Sequence, residues 1–133
     1  MTKKLYYMAH PVGPSGRFTL QDNLKNGAAW WTFLLRKGVN VCAPWLGLCH
    51  ALDDANPIDR KLGMDVDLSV LTKCDGIIAV GHTFSSGIAT EVKQVEEAEG
   101  EVYKLTGKNA GDVEKVLREA GVIPEVKGES PEV

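Results

Sequence analysis

The chain has little of what marks membrane, nucleic-acid-binding or disulfide-stabilised proteins. No apolar run approaches the roughly 20 residues that a membrane-spanning helix requires, and the first residues lead into a strand-like run instead of a signal-peptide core. No segment is strongly basic, and the formal net charge is −3, so neither a nucleic acid polymer nor a membrane surface is an expected partner. The three cysteines are an odd number in apolar surroundings, which favours reduced thiols in the cytoplasm over a disulfide framework.

The residue composition of the chain is typical of a single globular domain. The 133 residues are 44% apolar and 25% charged, which is enough to bury a core without metal or disulfide support. No internal repeat or linker divides the chain. We therefore expect one α/β domain over residues 1–121, followed by a polar, flexible tail over residues 122–133 that contains two prolines.

Apolar patterning predicts strands that alternate with helices. Short apolar runs predict strands at 5–9, 39–45, 75–81 and 101–105. Helical spacing predicts helices at 19–38, at 57–73, from 86 past 95 and around 113–120, with Thr19 capping the first and a loop at 46–56. This order predicts a single-domain, three-layer α/β/α sandwich with a mostly parallel, Rossmann/flavodoxin-like sheet.

The apolar positions of the first two helices predict which of their faces are buried. The expected core stripes are Leu20, Leu24, Ala28, Trp31 and Leu35 in the first helix, and Ile58, Leu62 and Val66, joined by Val70, in the second. Trp30, Trp31 and Phe33 exceed what one stripe needs, so one of them is expected to be exposed and to contact a partner. The alternative is that all three lie in the core.

The best local candidate for a ligand site is the loop and helix start at Ser85-Ser86-Gly87. Parallel sheets bind ligands beyond the carboxyl ends of their strands, which here are the loops at 10–17, 45–56 and 82–87. At a helix N-terminus, free N–H groups and the helix dipole would hold an anion such as a phosphate. The alternative is that Ser85 or Ser86 only caps the helix.

Charged residues near these loops are candidates for catalysis and binding. Glu91 lies one turn beyond Gly87, where the helix dipole would keep it ionised as a nucleophile or base; the alternative is a solvated glutamate. Asp67 interrupts an apolar stretch, and Arg17 offers a cation for a phosphate. The chain has no dinucleotide-binding glycine pattern, P-loop or zinc spacing, so no metal and no organic cofactor is expected.

Together these pieces resemble the nucleoside 2-deoxyribosyltransferase-like family, and within it the nucleoside 5′-monophosphate N-glycosidases. The resemblance spans residues 5–100. Tyr7 ends a first strand before a glycine-containing loop with Arg17, Asp67 stands eight residues before Asp75, and Ser85 stands six before Glu91. The run from residue 86 to residue 91 is similar to the family's small-residue approach to its glutamate.

The resemblance implies a function and a role for each residue. It makes Glu91 the nucleophile that attacks the anomeric carbon of a sugar, Asp67 the acid on the base side, and Tyr7 the residue that orients Glu91. Ligands of a 5′-phosphate would be Ser85 and Arg17, with Ser86, Gly87, Gly16 and His10 beside them. The implied function is hydrolysis of the N-glycosidic bond of a (deoxy)nucleoside 5′-monophosphate. A homodimer or higher homo-oligomer is expected, because family members often complete their sites across a dimer interface.

Three other functions stay open. A nucleoside 2-deoxyribosyltransferase would transfer the sugar to a second base, and a non-catalytic nucleotide-binding or sensing module would keep the cleft without turnover. A plain interaction domain would bind no nucleotide at all. The sequence assigns no role to His50, Asp53, Asp54 or Asp65.

Overall fold

A computed structural model describes residues 3–125 and confirms the predicted fold class. Its strands are β1 (Tyr6–Ala9), β2 (Val41–Cys42), β3 (Gly76–Ala79) and β4 (Glu101–Lys104). Its helices are α1 (Leu20–Arg36), α2 (Pro44–Ala51), α3 (Pro57–Thr72), α4 (Ser86–Glu97) and α5 (Ala110–Glu119). The strands form one parallel sheet in the order β2-β1-β3-β4. Within residues 3–125, no helix is both long and apolar enough to cross a membrane.

The centre of the sheet is built from the two most apolar strands. Every residue of β1 and β3 is buried, as expected for parallel strands that are covered by helices on both faces. Tyr7 of β1 pairs in register with Cys42 on one side and with Ile77 on the other. Because β2 and β3 lie on opposite sides of β1, the chain changes direction there, and a crevice opens between the ends of β1 and β3.

Helix α1 begins where the sequence predicts but buries a different face. Thr19 closes its first turn with a capping box. Ala28 and Leu35 are exposed, contrary to the prediction; the buried residues are Asn23, Leu24, Gly27 and Leu34. The reason is the contact with Trp45: a Cβ at Gly27 would collide with the indole ring. Gly27 therefore determines which face of α1 is buried, because a glycine leaves space there for the Trp45 ring. Hydrophobicity alone does not indicate this face.

The three aromatic residues of α1 do not form an exposed contact surface. Trp30, Trp31 and Phe33 are each half-buried and pack against the core. The Trp31 Nε1 group also donates a hydrogen bond of 3.0 Å to the carbonyl oxygen of Val41, which holds the indole against β2. None of the three is fully exposed, contrary to the first prediction, and none is fully buried, so the alternative that all three lie in the core is met only in part. Contact with a partner stays a prediction.

Residues 46–56, predicted as a loop, contain most of α2. The prediction is wrong because a proline can either end a strand or occupy the first turn of a helix, where its missing N–H is no disadvantage. Pro44 does the latter, so β2 ends at Cys42 and not at residue 45. Trp45 is buried on the inner side of α2, where its Nε1 donates to the carbonyl oxygen of Met8 at 2.8 Å.

Helix α3 is positioned as predicted but turns its apolar stripe to solvent. Asn56 caps the helix by accepting a hydrogen bond of 2.9 Å from N of Ile58. Ile58, Leu62 and Val66 are 73%, 52% and 45% exposed, so the prediction that they face the core is wrong. The helix buries Leu71, and Val70 packs partly buried against the core as predicted. Its inner face also borders a cleft at the strand ends.

The folded region extends two residues beyond the predicted domain boundary at 121. After α5, the N–H groups of Val122 and Ile123 donate to the carbonyl oxygen of Leu117 at 2.8 and 3.1 Å, and both side chains are buried. An ion pair of 3.2 Å between Lys37 and Glu114 joins the end of α1 to α5. Residues 126–133 of the predicted tail lie outside the described residues.

Candidate functional site

A cleft of about 710 Å³ lies at the carboxyl ends of the strands. One wall is the loop that follows β1, the opposite wall consists of α2 and α3, and the first turns of α4 close the third side. This is the position expected for a ligand site in a doubly wound parallel sheet. Each of the predicted loop regions at 10–17, 45–56 and 82–87 contributes residues to its lining.

Beneath the cleft, the Tyr7 hydroxyl donates a hydrogen bond of 2.5 Å to Oε2 of Glu91. Burial raises the pKa of Tyr7 far above its ordinary value, and the charges of Glu91 and Asp67 raise it further. The hydroxyl therefore keeps its proton and acts as a donor. The structure brings Tyr7 and Glu91 together, as the sequence predicts, because β1 lies next to β3 in the sheet and α4 packs on β3.

The Glu91 carboxyl lies in a less solvated place than its helix position suggests. Burial raises its pKa to about 7, the Tyr7 hydrogen bond opposes the shift, and the Asp67 charge adds to it. The expectation that the helix dipole keeps Glu91 ionised is therefore wrong near neutral pH. Loss of solvation outweighs the dipole, whose effect falls off within the first turn. At neutral pH the carboxyl exchanges between its charged and neutral forms.

Asp67 faces the same cleft from α3 and is half-buried. Burial raises its pKa to about 6, and the neighbouring Tyr7 hydroxyl partly offsets the shift. Its Oδ1 atom is buried and, among the residues that the structure describes, has no hydrogen-bond partner, which is uncommon for a buried polar atom. Two carboxyls with raised pKa values beside one tyrosine are typical of acid–base or nucleophilic chemistry.

The N-terminus of α4 forms one end of the cleft, with Ser85 as its cap. The Ser85 hydroxyl accepts a hydrogen bond of 3.3 Å from N of Ile88, and its O–H remains able to donate to a ligand. Ser86 and Gly87 are exposed on the cleft wall, and their N–H groups belong to a first turn that has no intrahelical acceptors. The donors of an anion site are in place; anion binding itself stays a prediction.

The predicted loop arginine points away from the cleft. Arg17 is exposed and packs over the Phe18 ring, 5.5 Å from its centroid. Ser15 and Phe18 exchange backbone hydrogen bonds of 3.0 and 2.9 Å across a tight turn in which Gly16 has φ 56°. The cleft lining contains neither Gly16 nor Arg17, so the geometry does not favour them as phosphate ligands.

The arginine that lines the cleft is Arg60 on α3, which the sequence analysis does not single out. Arg60 precedes Asp67 by seven residues, so both side chains lie on one face of the helix, about 10 Å apart along its axis. Once α3 is known to border the cleft, the seven-residue spacing from Asp67 identifies Arg60 as a residue of the same helix face. A guanidinium at this position offers several donors to a phosphate or to the edge of a base.

His10 lines the cleft but does not supply a positive charge. It is 4% exposed and stacks on the Trp45 ring with the centroids 5.7 Å apart. Its Nδ1 lies 2.6 Å from the carbonyl oxygen of Pro11, and its Nε2 lies 2.8 Å from Nδ2 of Asn26. A neutral ring with its proton on Nδ1 satisfies both contacts. Burial lowers the pKa of His10, so the residue supports the wall and is poorly suited to the predicted phosphate-binding role.

The loop after β1 is held by Asn23, a polar residue of α1 that sequence reasoning misses. Its Nδ2 donates to the carbonyl oxygens of Val12 and Gly13, both at 3.0 Å, and its Oδ1 accepts from Nε2 of His82 at 3.2 Å. Asn23 is 0% exposed, so losing one of these bonds would leave a buried group unpaired at considerable cost. The network ties the loops after β1 and β3 together behind the cleft wall.

The side of the cleft between α2 and α3 is apolar, and we call it the apolar slot. It is lined by Leu48, Cys49, Leu52 and Gly63. A Cβ at Gly63 would lie 3.6 Å from Cδ1 of Leu52, which is an ordinary van der Waals distance. Any larger side chain at this position would therefore extend into the slot beside Leu52. Burial raises the pKa of Cys49 to about 11, which keeps its thiol neutral. Sequence reasoning misses most of the slot because it predicts a loop in place of α2.

Of the residues that the sequence leaves without a role, Asp54 lines the cleft. Asp53 accepts a hydrogen bond of 3.0 Å from the backbone two residues later, Asp65 pairs with Lys61 at 3.3 Å, and His50 is exposed in the last turn of α2. Within residues 3–125, no group of three or more His, Cys, Asp or Glu side chains is arranged to hold a metal ion.

A family model described as a domain of unknown function, DUF7768, matches residues 4–105. The chain belongs to the DUF7768 family. The matched span begins before β1 and ends after β4, so this DUF7768 domain contains the whole sheet and every residue of the cleft. A comparison with curated proteins gives no significant match. The function of the domain is therefore argued from its cleft, and the resemblance to the nucleoside 2-deoxyribosyltransferase-like family stays a prediction.

Proposed function

We propose that this DUF7768 domain binds a (deoxy)nucleoside 5′-monophosphate and hydrolyses its N-glycosidic bond. The observation that carries the proposal is the carboxyl pair of Glu91 and Asp67, which share one cleft, have raised pKa values and lie beside the buried Tyr7 hydroxyl. The first-turn donors of α4 lie in the same cleft. The resemblance to N-glycosidases, drawn from residue spacing, supports the same reaction.

The cleft has a compartment for each part of such a substrate. A 5′-phosphate fits the N-terminus of α4, where hydroxyl and amide donors and the helix dipole meet an anion. From Ser85 to Glu91 the helix advances about 9 Å, which leaves space for a sugar ring between the phosphate and the carboxylate. The base then lies in the apolar slot, with Asp67 near its bond to the sugar and Arg60 beyond it.

The reaction assigned to these groups is a double displacement. The Glu91 carboxylate attacks the anomeric carbon while the bond to the base breaks, and Asp67 gives a proton to the departing nitrogen. Positive charge that develops on the sugar faces the carboxylate, which stabilises it. Water then attacks the glycosyl ester, Asp67 takes up the proton of that water, and the free sugar phosphate and the Glu91 carboxylate are formed.

The proposed roles require one proton on the carboxyl pair, held by Asp67. The pKa values of about 7 for Glu91 and about 6 for Asp67 lie close together, so the two groups titrate as a pair. In the free protein this order places the shared proton more on Glu91 than on Asp67, and the value for Glu91 already includes the effect of the Tyr7 hydrogen bond. The proposed reaction therefore needs the substrate to reverse the order: a base nitrogen that accepts a hydrogen bond from Asp67 favours the neutral form of Asp67 once substrate is bound. Base release should peak between pH values of about 6 and about 7 and fall on both sides.

Base release from a panel of substrates tests the proposal. The purified protein is incubated with ribo- and deoxynucleoside 5′-monophosphates and with the matching free nucleosides, and free base is measured by chromatography. We expect release from monophosphates and a loss of at least ~100-fold in Glu91→Gln and in Asp67→Asn. Glu97→Gln, which changes an exposed glutamate at the end of the same helix, should leave the rate unchanged.

Other results would point to other functions. Equal turnover of free nucleosides would remove the role of the 5′-phosphate, and exchange with an added second base would identify a deoxyribosyltransferase. Tight nucleotide binding without base release, unaffected by Glu91→Gln, would identify a binding or sensing module. If no nucleotide binds, the proposal is wrong.

We also propose that the protein acts as a homodimer in the cytoplasm. Ile58, Leu62 and Val66 form an apolar stripe on the outer face of α3, and contiguous exposed apolar surface of this kind marks contact sites. Arg60 and Asp67 line the cleft from the same helix, so a second copy packed on the stripe would lie close to the cleft. This stripe replaces the α1 aromatic residues as the expected contact.

A further inference from the structure

Two of the three cysteines lie side by side. Cys42 ends β2, and Cys74 lies in the turn between α3 and β3. Their Sγ atoms are 3.9 Å apart, although the residues are 32 positions apart in the chain. Both are free thiols on half-buried side chains. The fold thus holds two thiols in van der Waals contact, a separation that small side-chain rotations reduce to bonding distance.

The two thiols are not equivalent. The Cys74 sulfur lies 3.9 Å from Sγ of Cys42 and 3.5 Å from the carbonyl oxygen of Val70. The single Cys74 S–H proton can point to the Val70 carbonyl oxygen or to Cys42. In the second arrangement it stabilises a thiolate on Cys42, which lowers the pKa of Cys42 and raises the pKa of Cys74. Because the thiolate is the nucleophile, Cys42 is the thiol that attacks an oxidant, and Cys74 is the thiol that resolves the product.

A second cavity gives small molecules a route to the pair. It has a volume of about 400 Å³ and is lined by Cys74 together with Thr72, Asp75 and Gln94. The residues that line this cavity are different from those that line the cleft. The cavity therefore gives a small oxidant access to Cys74, with the Cys42 sulfur 3.9 Å behind it, without passing through the proposed substrate site.

We propose that Cys42 and Cys74 form a reversible disulfide when the protein meets hydrogen peroxide. The Cys42 thiolate attacks one peroxide oxygen, the O–O bond breaks, and the departing hydroxide takes up a proton to become water. The Cys74 sulfur then attacks the Cys42 sulfenic acid, the S–S bond forms, and the sulfenic oxygen leaves with the Cys74 proton as a second water. The two thiols lose two electrons, which reduce the peroxide.

The disulfide joins β2 to the turn that follows α3, the helix that carries Asp67 of the cleft. It shortens the Sγ–Sγ distance from 3.9 Å to about 2 Å and links β2, whose Cys42 pairs in register with Tyr7, to the turn after α3. Asp67 stands on α3, seven residues before Cys74. Closing the intervening chain into a loop restricts the unfolded state, so the oxidised protein is the more stable form.

Oxidation of the full chain by one equivalent of hydrogen peroxide tests the proposal. Unreacted thiols are alkylated after quenching, and the protein is mapped by mass spectrometry without reduction. We expect a loss of two hydrogen atoms, a peptide that links Cys42 to Cys74, and alkylation of Cys49 alone. Dithiothreitol should restore all three thiols. Oxidation should also raise the midpoint of thermal unfolding by roughly 5–10 °C.

Cys49 supplies the matched control because it is half-buried like the other two, and burial raises its pKa to about 11. Cys49→Ser should form the same link, Cys42→Ser should stay reduced, and Cys74→Ser should accumulate a sulfenic acid at Cys42 that a diketone probe traps. Alkylation of all three cysteines in peroxide-treated wild-type protein, or a link that includes Cys49, would overturn the proposal. Mapping of the wild-type chain decides the question even where a variant fails to fold.

Discussion

The Tyr7 hydroxyl and the Glu91 carboxyl, 84 residues apart in the chain, meet in a hydrogen bond of 2.5 Å. The bond connects the central strand to the second turn of α4. It opposes the effect of burial on the Glu91 pKa and fixes the direction in which that carboxyl points. Tyr7 is thus a positioning residue for Glu91, at the point where the sheet meets the cleft.

Replacing Tyr7 by Phe removes this hydrogen bond and keeps the ring. We expect the pKa of Glu91 to rise above about 7, because burial then acts without the donor that favours the charged form. Base release should fall more at pH 6 than at pH 8, and carbon-13 titration of Glu91 should show the same shift. Tyr103→Phe, which removes a hydroxyl bonded to Glu101, is the control. An unmoved Glu91 titration in Tyr7→Phe would contradict the positioning role.

Glu91→Gln should change how stability depends on pH. The folded-state pKa of Glu91 is raised from 4.5 to about 7, so in the wild type the buried carboxyl lowers the free energy of unfolding as pH rises through this interval. Gln accepts the Tyr7 hydrogen bond without a charge. The stability of the variant relative to wild type should therefore increase by about 2 kcal/mol between pH 5 and pH 8. Denaturant unfolding at both pH values measures this, with Glu97→Gln expected to show no trend.

Arg60 should matter to substrate binding, and Arg17 should not. Arg60 lines the cleft, whereas Arg17 packs on Phe18 outside it. Arg60→Ala should raise the KM for nucleoside monophosphates about tenfold, because it removes one partly exposed charge-assisted hydrogen bond. Arg17→Ala should stay within about twofold. The reverse order would mean that the loop after β1 closes over the substrate and carries Arg17 into the cleft.

Gly63→Leu should block the apolar slot without harming the fold. Leucine favours a helix over glycine by up to ~1 kcal/mol, yet its side chain would fill the space between α3 and Leu52. We expect equal or higher thermal stability and at least ~10-fold weaker nucleotide binding, measured by calorimetry. Gly47→Leu is the matched control, since Gly47 is an exposed helical glycine with open space around its Cβ position. Equal binding by both variants would place the base elsewhere.

Leu62→Glu should separate the proposed dimer. Leu62 is 52% exposed at the middle of the α3 stripe, so a charge there opposes burial by a second copy and leaves the monomer intact. Sedimentation should show a dimer for wild type and a monomer for the variant. Leu35→Glu, at an exposed apolar position of α1 that is 46% accessible, should remain dimeric. A monomeric wild-type protein would remove the homodimer from the proposed function.

Much of the fold could be predicted because it follows from local patterns. The continuous apolar run around Ile77 and Ile78 marks a strand covered on both faces, and Thr19 caps the first helix where it is predicted to do so. The position of α2 could not be predicted, since Pro44 is compatible with both a strand end and a helix start. The outward stripe of α3 could not be predicted either, because periodicity identifies an apolar face without saying what it meets.

The residues of the candidate site also fall into those that the sequence indicated and those that it missed. The residues themselves indicated Ser85 and Glu91 at the start of a helix, and the family resemblance added roles for Tyr7 and Asp67. Ser85, Glu91 and Asp67 line one cleft, and the buried Tyr7 donates a hydrogen bond to Glu91. Arg60 was missed, and Arg17 and His10 were assigned a contact with phosphate that the geometry does not favour. These differences concern where side chains point, which depends on neighbouring loops and helices as well as on each residue's own segment.

Local chemistry along the chain is enough to specify the alternation of strands and helices, the parallel sheet and the edge of the sheet at which the cleft lies, because each of these follows from periodicity, capping and the handedness of crossovers. The ionisation of Glu91, the choice of Arg60 over Arg17 as the arginine of the cleft, and the contact of Cys42 with Cys74 arise only when the chain is folded. Each depends on desolvation or proximity between residues that are distant in sequence, and no local pattern records such distances.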